Sequence, residues 1–252
     1  MVSPSGVALT EAVSPRELTH GEILEIIHAF GETTRRAIEA GFDGVEIHGA
    51  HGFLLQSFLS PFFNKRQDQW GGSLEKRLSF PVAVIREVKK AVEQYSTKPF
   101  IVGYRISPEE HQQDALRMND TYALIDKLIN ENVDYVHASL VQALSSKPKF
   151  SQDNKKTYLE LIVEHANDRI PVIAAGSLES PEDVSESMER GLSLAVIGRV
   201  LISDPAWVEK VQQGREAEIQ TVITPSNVSD LVLPEKLWGV IQNAGPWFKM
   251  EK

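Results

Sequence analysis

The chain has 252 residues, 42% of them hydrophobic and 24% charged, which is ordinary globular composition with enough apolar surface for a substantial core. Its net charge of -9 argues against a nucleic-acid groove or an anionic membrane surface as the main partner, because both need clustered cations. It has no cysteine, so disulfides, thiolate metal sites, iron-sulfur clusters and a cysteine nucleophile are excluded as well.

No apolar run approaches the roughly 18 residues of a membrane span, and the opening "MVSPSGVALTEAVSPRELTHG" lacks the basic-then-apolar order of a signal peptide, so a cytoplasmic protein is expected. Residues 1–18 read as an extended lead-in. A helix starts at "THGE", where Thr19 caps and Glu22 reaches back, and Ile23, Ile26, Ile27, Phe30, Ala37 and Ile38 follow at helical spacing. Gly41 ends it, and the strand "GVEI" begins almost at once.

The next helical pattern runs from Leu74 to Tyr95, with Pro81 predicted to mark a restart or kink, and leads into the strand "PFIVGYRIS". "DTYALIDKLINEN" then precedes "VDYVHAS", and the helix from Thr157 to Ala166 precedes "IPVIAAGS". The last such unit is "SPEDVSESMERG" followed by "LSLAVIG", with Ser180 as cap, Pro181 in the first turn, Asp183 at the box position and Gly191 past the end. Residues 19–214 thus hold five βα units with strands near residues 45, 101, 136, 173 and 195, and residues 215–252 read as an extended tail of the same single domain.

Apolar strands alternating with amphipathic helices imply a parallel α/β sheet with right-handed crossovers. No GxGxxG or Walker loop follows the first strand. Instead His48, Arg105, Ser139, Ser177 and Arg199 stand just past strand ends, the distribution of a (β/α)8-barrel's catalytic face, although only five of eight strands are visible.

Each cluster admits a functional and a structural reading. His48 and His51, placed on one side of a first helical turn, can bind a metal or donate two hydrogen bonds to one oxygen; alternatively one caps the turn and the other is an ordinary surface residue. Arg66, Asp68 and Arg77 in "SPFFNKRQDQWGGSLEKR" are expected to pair with one another and hold the mouth of the site. Arg105 either emerges at the open face to stabilise a developing anion or pairs with Glu46, which itself orients a cation or a histidine. Gly176, Ser177, Gly198 and Arg199 suit a phosphate, or else mark tight packing beside a surface arginine.

Five stretches, in the same order, resemble one family: "PRELTHGEI", "AGFDGVEIHGAHGFLLQSFLSPFFNKRQDQWGGSLEKRLSF", "VGYRIS", "IPVIAAGS" and "AVIGRVLISDP", together covering roughly residues 15 to 208. The family is the flavin-dependent ene reductases of the old yellow enzyme type, the NADH:flavin oxidoreductases. The resemblance implies a TIM (β/α)8 barrel with FMN across its mouth, and hydride passing from NADH or NADPH through the flavin to an enone-like alkene. It implies that His48 and His51 hold the substrate carbonyl, that Arg105 sits beside the flavin pyrimidine, and that Gly176, Ser177, Gly198 and Arg199 bind the phosphate. Phe53 and Trp70 depart from it, since a tyrosine is usual at each position.

"GFDGVEIH" resembles the fourth strand of that barrel, which makes this chain the last five βα units. The expected partners are therefore a small-molecule substrate and either a second copy of the chain or a separate N-terminal portion. The alternatives are a non-catalytic barrel fragment stable only as an oligomer, and a hydrolytic or metal-dependent barrel using His48 and His51.

Overall fold

The computed structural model describes residues 1–7, 14–150 and 155–251. Its centre is a five-stranded, wholly parallel sheet of β3 (Gly44–Gly49), β4 (Ile101–Ile106), β5 (Tyr135–Ser139), β6 (Val172–Ala175) and β7 (Leu194–Val196). Two parallel two-residue pairs flank it in sequence: β1 (Val2–Ser3) with β2 (Arg16–Glu17), and β8 (Val222–Ile223) with β9 (Lys249–Met250). The helices are α1 (His20–Glu39), α2 (Leu54–Leu59), α3 (Leu74–Tyr95), α4 (Met118–Asn130), α5 (Tyr158–Ala166), α6 (Pro181–Glu189), α7 (Arg199–Ser203), α8 (Trp207–Gln212) and α9 (Glu235–Asn243).

Spatial strand order equals chain order, with no reversal. A doubly wound sheet reverses at a switch point and puts helices on both faces; a sheet that always steps the same way, with right-handed crossovers, keeps them on one. Burial agrees with that inference. Ile47, Val102, Tyr104, Ile106, Val136, Ala138, Val172 and Ala174 are buried in one core with residues of α1 to α5. The alternate positions, on the other face by the period of two, are Glu46, His48, Arg105, Tyr135, His137 and Ser139. Among the described residues β3 and β7 remain free edges.

Local punctuation behaves as the residue types dictate. The Thr19 side chain accepts from the Glu22 N–H at 3.3 Å while the Glu22 carboxylate accepts from the Thr19 N–H at 2.8 Å. Thr19→Ala is expected to cost about 1 kcal/mol of unfolding free energy, read by urea titration; a change below ~0.3 kcal/mol would mean the box is idle. Helix α3 runs unbroken through Pro81, so no restart occurs there. Its buried side, with Leu78, Phe80, Val84, Ile85 and Val88, outweighs the one hydrogen bond that proline removes.

The lead-in is extended as expected where it is described, but it is packed; the tail differs from the extended segment expected. Residues 8–13 of the lead-in lie outside the described residues. Beside them, β1 and β2 pair, Leu18 enters the main core, and the Arg66 guanidinium donates to the carbonyls of Pro4 and Leu18, both at 2.7 Å. The C-terminal tail is not extended: α9 packs against β8 and β9, burying Ile223, Ile241 and Phe248 in a second small core. Leu237 and Ile241, four apart, supply a helical stripe that the neighbouring proline and glycine obscure in the sequence.

Candidate active site

The two histidines do not share a helical turn, as the sequence reading had it. His48 is in β3, His51 lies in the following turn with φ +60°, and α2 starts only at Leu54. The turn is held from outside, by the Ser107 hydroxyl accepting the His51 N–H at 3.1 Å. It brings the rings together all the same, with centroids 5.1 Å apart and planes at 82°. His48 Nδ1 accepts the Ala50 N–H at 3.2 Å, a local turn cap, and its ring meets the edge of Phe53 at 5.2 Å.

Parallel register places His48, Arg105 and His137 side by side in one layer of the sheet. Ser139, two residues beyond His137 and so on the same face, joins the parts: its Oγ accepts from Arg105 Nη2 at 2.9 Å and lies 2.7 Å from His51 Nε2. Arg105 does not hydrogen bond to Glu46. That carboxylate accepts instead from His137 Nδ1 at 2.9 Å and from the Tyr135 hydroxyl at 3.0 Å. Glu46 thus orients a histidine, one of the two roles its position suggests. The Tyr135 ring reaches it by lying across Gly103, where a Cβ would fall 2.0 Å from the ring.

Among the described residues this arrangement leaves Arg105 Nε and His137 Nε2 buried with no hydrogen-bond partner. Such atoms are costly and occur where a ligand completes the set. Burial raises the Glu46 carboxyl, but His137, Tyr135 and the Arg105 charge together bring it below the ordinary range. Burial and Glu46 push the Tyr135 phenol up to about 12.

Partial desolvation first, and the Arg105 charge second, hold both His48 and His51 below the ordinary imidazole range. The unfolded chain protonates near pH 6.5 while the folded site still resists, so the contribution is complete above about pH 6.5 and lost as pH falls through the depressed values. Urea midpoints are expected to drop between about pH 7 and pH 5, and a His48→Gln, His51→Gln double variant is expected to flatten that slope. An unchanged slope in the double variant would contradict it.

At the far end of the sheet, Ser177, with φ +51°, donates through Oγ to the Val141 carbonyl at 2.9 Å and accepts from Arg199 Nη2 at 2.6 Å. Gly176 must be glycine for the chain to pass there, since a Cβ would lie 2.6 Å from the Ala143 nitrogen. Gly198 caps the short α7, and its Cβ position faces open space. Arg199 Nη1 donates to the Trp247 carbonyl at 3.0 Å, and among the described residues the guanidinium has no carboxylate partner. Ser177 and Arg199 line a cavity of about 310 Å³ together with Glu179, whose carboxylate pairs with Lys249, and the tail residues Thr221, Trp247, Phe248 and Lys249. These tail residues were missed in the sequence, where residues 215–252 read as extended.

Of the charged loop residues, Arg66 pairs with Asp68 at 2.6 Å as expected, but Arg77 turns to Asp120 at 2.9 Å and to the Leu59 and Gly72 carbonyls. His137 was also missed; its signal is a histidine two residues before Ser139 in a strand, hence on the same face. Among the described residues no third ligating side chain joins His48 and His51 to hold a metal.

The NADH:flavin oxidoreductase / NADH oxidase family matches the chain over residues 2–218. The chain is 46% identical over 247 residues to "Probable NADH-dependent flavin oxidoreductase YqiG" of Bacillus subtilis (strain 168), an alignment covering 98% of this chain and 66% of that protein. It is 37% identical to the "NADH:acrylate oxidoreductase" of Vibrio harveyi, over 95% of this chain and 24% of that one. The chain thus spans only part of the length of these relatives. In fold it is similar to a solved structure of a 2-naphthoyl-CoA reductase complex, with a TM-score of 0.74 and 24% identity over 87% of this chain and 34% of that chain.

Proposed function

The chain belongs to the NADH:flavin oxidoreductase / NADH oxidase family, and from that premise we propose that its strand ends bind FMN. We propose further that the whole protein passes hydride from NADH or NADPH to an activated alkene such as an enone or acrylate. The five units are read as the C-terminal part of a (β/α)8 barrel, completed along the free β3 and β7 edges by further strands. The sequential strand order and the polar face opposite the helices support that reading.

The observation that carries the proposal is Arg105: a strand-end guanidinium with a buried, unpartnered Nε, tied through Ser139 to one of two adjacent histidines. The residues fit FMN at both ends. Arg105 offers an unsatisfied donor and a fixed positive charge for a polar, electron-accepting ring edge. Ser177 and Arg199, at a cavity wall where the Glu179 carboxylate pairs with Lys249 and, among the described residues, none pairs with Arg199, suit a phosphate.

When bound, FMN supplies the two-electron relay between nicotinamide and alkene. The residues of this chain do the rest. His48 and His51, kept neutral, donate hydrogen bonds to the substrate carbonyl oxygen and favour negative charge developing there. Phe53 is 61% exposed beside His48 and has no hydroxyl, so the proton that completes the α-carbon comes from water or from another side chain.

The test is anaerobic NADH and NADPH oxidation by the whole protein, this chain together with the strands that complete its barrel, supplied with FMN and with cyclohexenone or acrylate as acceptor. Alkene-dependent oxidation with saturated product is expected. A flavin-loaded whole protein, its barrel completed, that oxidises neither nicotinamide would overturn the reading.

A further inference from the structure

We propose that Ser139 is a positioning residue that fixes the tautomer of His51, so that His48 and His51 present opposite ring nitrogens, each bearing a hydrogen, to one ligand oxygen. The ligand's identity rests on the functional reading above; the tautomer does not.

A guanidinium nitrogen can only donate, so Arg105 Nη2 occupies one lone pair of Ser139 Oγ. The hydroxyl then has one proton to place, and among the described residues its acceptor is His51 Nε2 at 2.7 Å. Were His51 to donate from Nε2 instead, both lone pairs of Oγ would face donors and the serine proton would have no partner. Accepting at Nε2, a neutral His51 carries its hydrogen on Nδ1. His48 is fixed the other way round: its Nδ1 accepts the Ala50 N–H, so its hydrogen sits on Nε2.

The surroundings enforce this difference. The Arg105 charge polarises the Ser139 oxygen and strengthens its hydroxyl as a donor. The Ser107 hydroxyl holds the His51 backbone in the left-handed conformation that aims the ring at Ser139 rather than along the strand. With planes at 82° and centroids 5.1 Å apart, the rings can approach one oxygen from two directions, matching its two lone pairs. Sequence alone conceals the relay, because Ser139 lies 88 residues from His51 and 34 from Arg105.

The experiment is long-range ¹⁵N–¹H correlation of the imidazoles in the ¹⁵N-labelled full chain, at about pH 8, above the ordinary imidazole pKa of about 6.5. His48→Gln and His51→Gln variants assign the signals. His51 is expected as the Nδ1–H form and His48 as the Nε2–H form. Ser139→Ala is expected to move His51 to a mixture or to Nε2–H without changing His48, and Ser139→Thr to restore the original pattern. A wild-type His51 in the Nε2–H form, or a Ser139→Ala spectrum identical to wild type, would overturn the proposal.

In the FMN-loaded protein, Ser139→Ala is also expected to raise KM for the alkene about fivefold to tenfold, the loss of one hydrogen bond. FMN affinity is expected to stay within about twofold. Loss of FMN affinity with the tautomer unmoved would make Ser139 a cofactor contact instead and refute the relay. Should the chain bind no flavin, the functional reading fails while the spectra still decide the tautomer.

Discussion

Arg105→Met is expected to weaken FMN binding about 10- to 100-fold while leaving unfolding stability unchanged or higher. The two effects separate because Arg105 is poorly compensated within the chain. Among the described residues its Nε is buried without a partner and its side chain hydrogen bonds to a serine, while the nearby Glu46 is already engaged by His137 and Tyr135. An unsatisfied buried donor costs roughly 1–3 kcal/mol, which an apolar side chain of similar length recovers. A hydrogen bond from a cation to a ligand contributes about 1.5–3 kcal/mol, hence the expected loss of affinity. Fluorescence titration and urea unfolding on the same preparation read both quantities. Lower stability with unchanged FMN affinity would make Arg105 a structural residue.

Arg66 should show the opposite pattern. Its side chain is 6% exposed and meets the carboxylates of Asp68 and Glu17 together with the carbonyls of Pro4 and Leu18. It thereby pins both N-terminal strands to the loop before α3. Arg66→Ala strands the two buried carbonyls of Pro4 and Leu18, at about 1–3 kcal/mol each. The carboxylates of Asp68 and Glu17, 43% and 55% exposed, are left to solvent, so a loss of about 2–4 kcal/mol is expected. Arg66→Lys should recover little, because a point charge cannot reach acceptors on several sides as a planar guanidinium does. The measurement is the urea midpoint, and a loss below ~1 kcal/mol would show that Arg66 is not the pin.

What could be read from the sequence is what depends on near neighbours. Thr19 with Glu22, Ser180 with Asp183, and Gly41 and Gly191 past their helices each act within one turn of chain, and the five strands they delimit form the sheet. Residues at strand ends could likewise be named, because strand direction alone puts them there. Pairings could not. Glu46 and His137 are 91 residues apart, and only parallel register brings them to one layer. Arg77 meets Asp120 rather than the nearer Asp68 because α3 carries its guanidinium toward the start of α4. The tail was hidden for another reason: its apolar residues are spaced by proline, serine and asparagine, and the core they form is visible only once β8 and β9 pair.

The claim that these strand ends make an FMN site is tested most directly by titrating the full chain with FMN and, separately, with riboflavin, following flavin fluorescence. The account predicts saturable FMN binding at least about tenfold tighter than riboflavin, the phosphate being held by Ser177 and Arg199, and loss of that difference in Arg199→Gln. Equal affinity for the two flavins, or no binding of FMN at millimolar concentration, would contradict it.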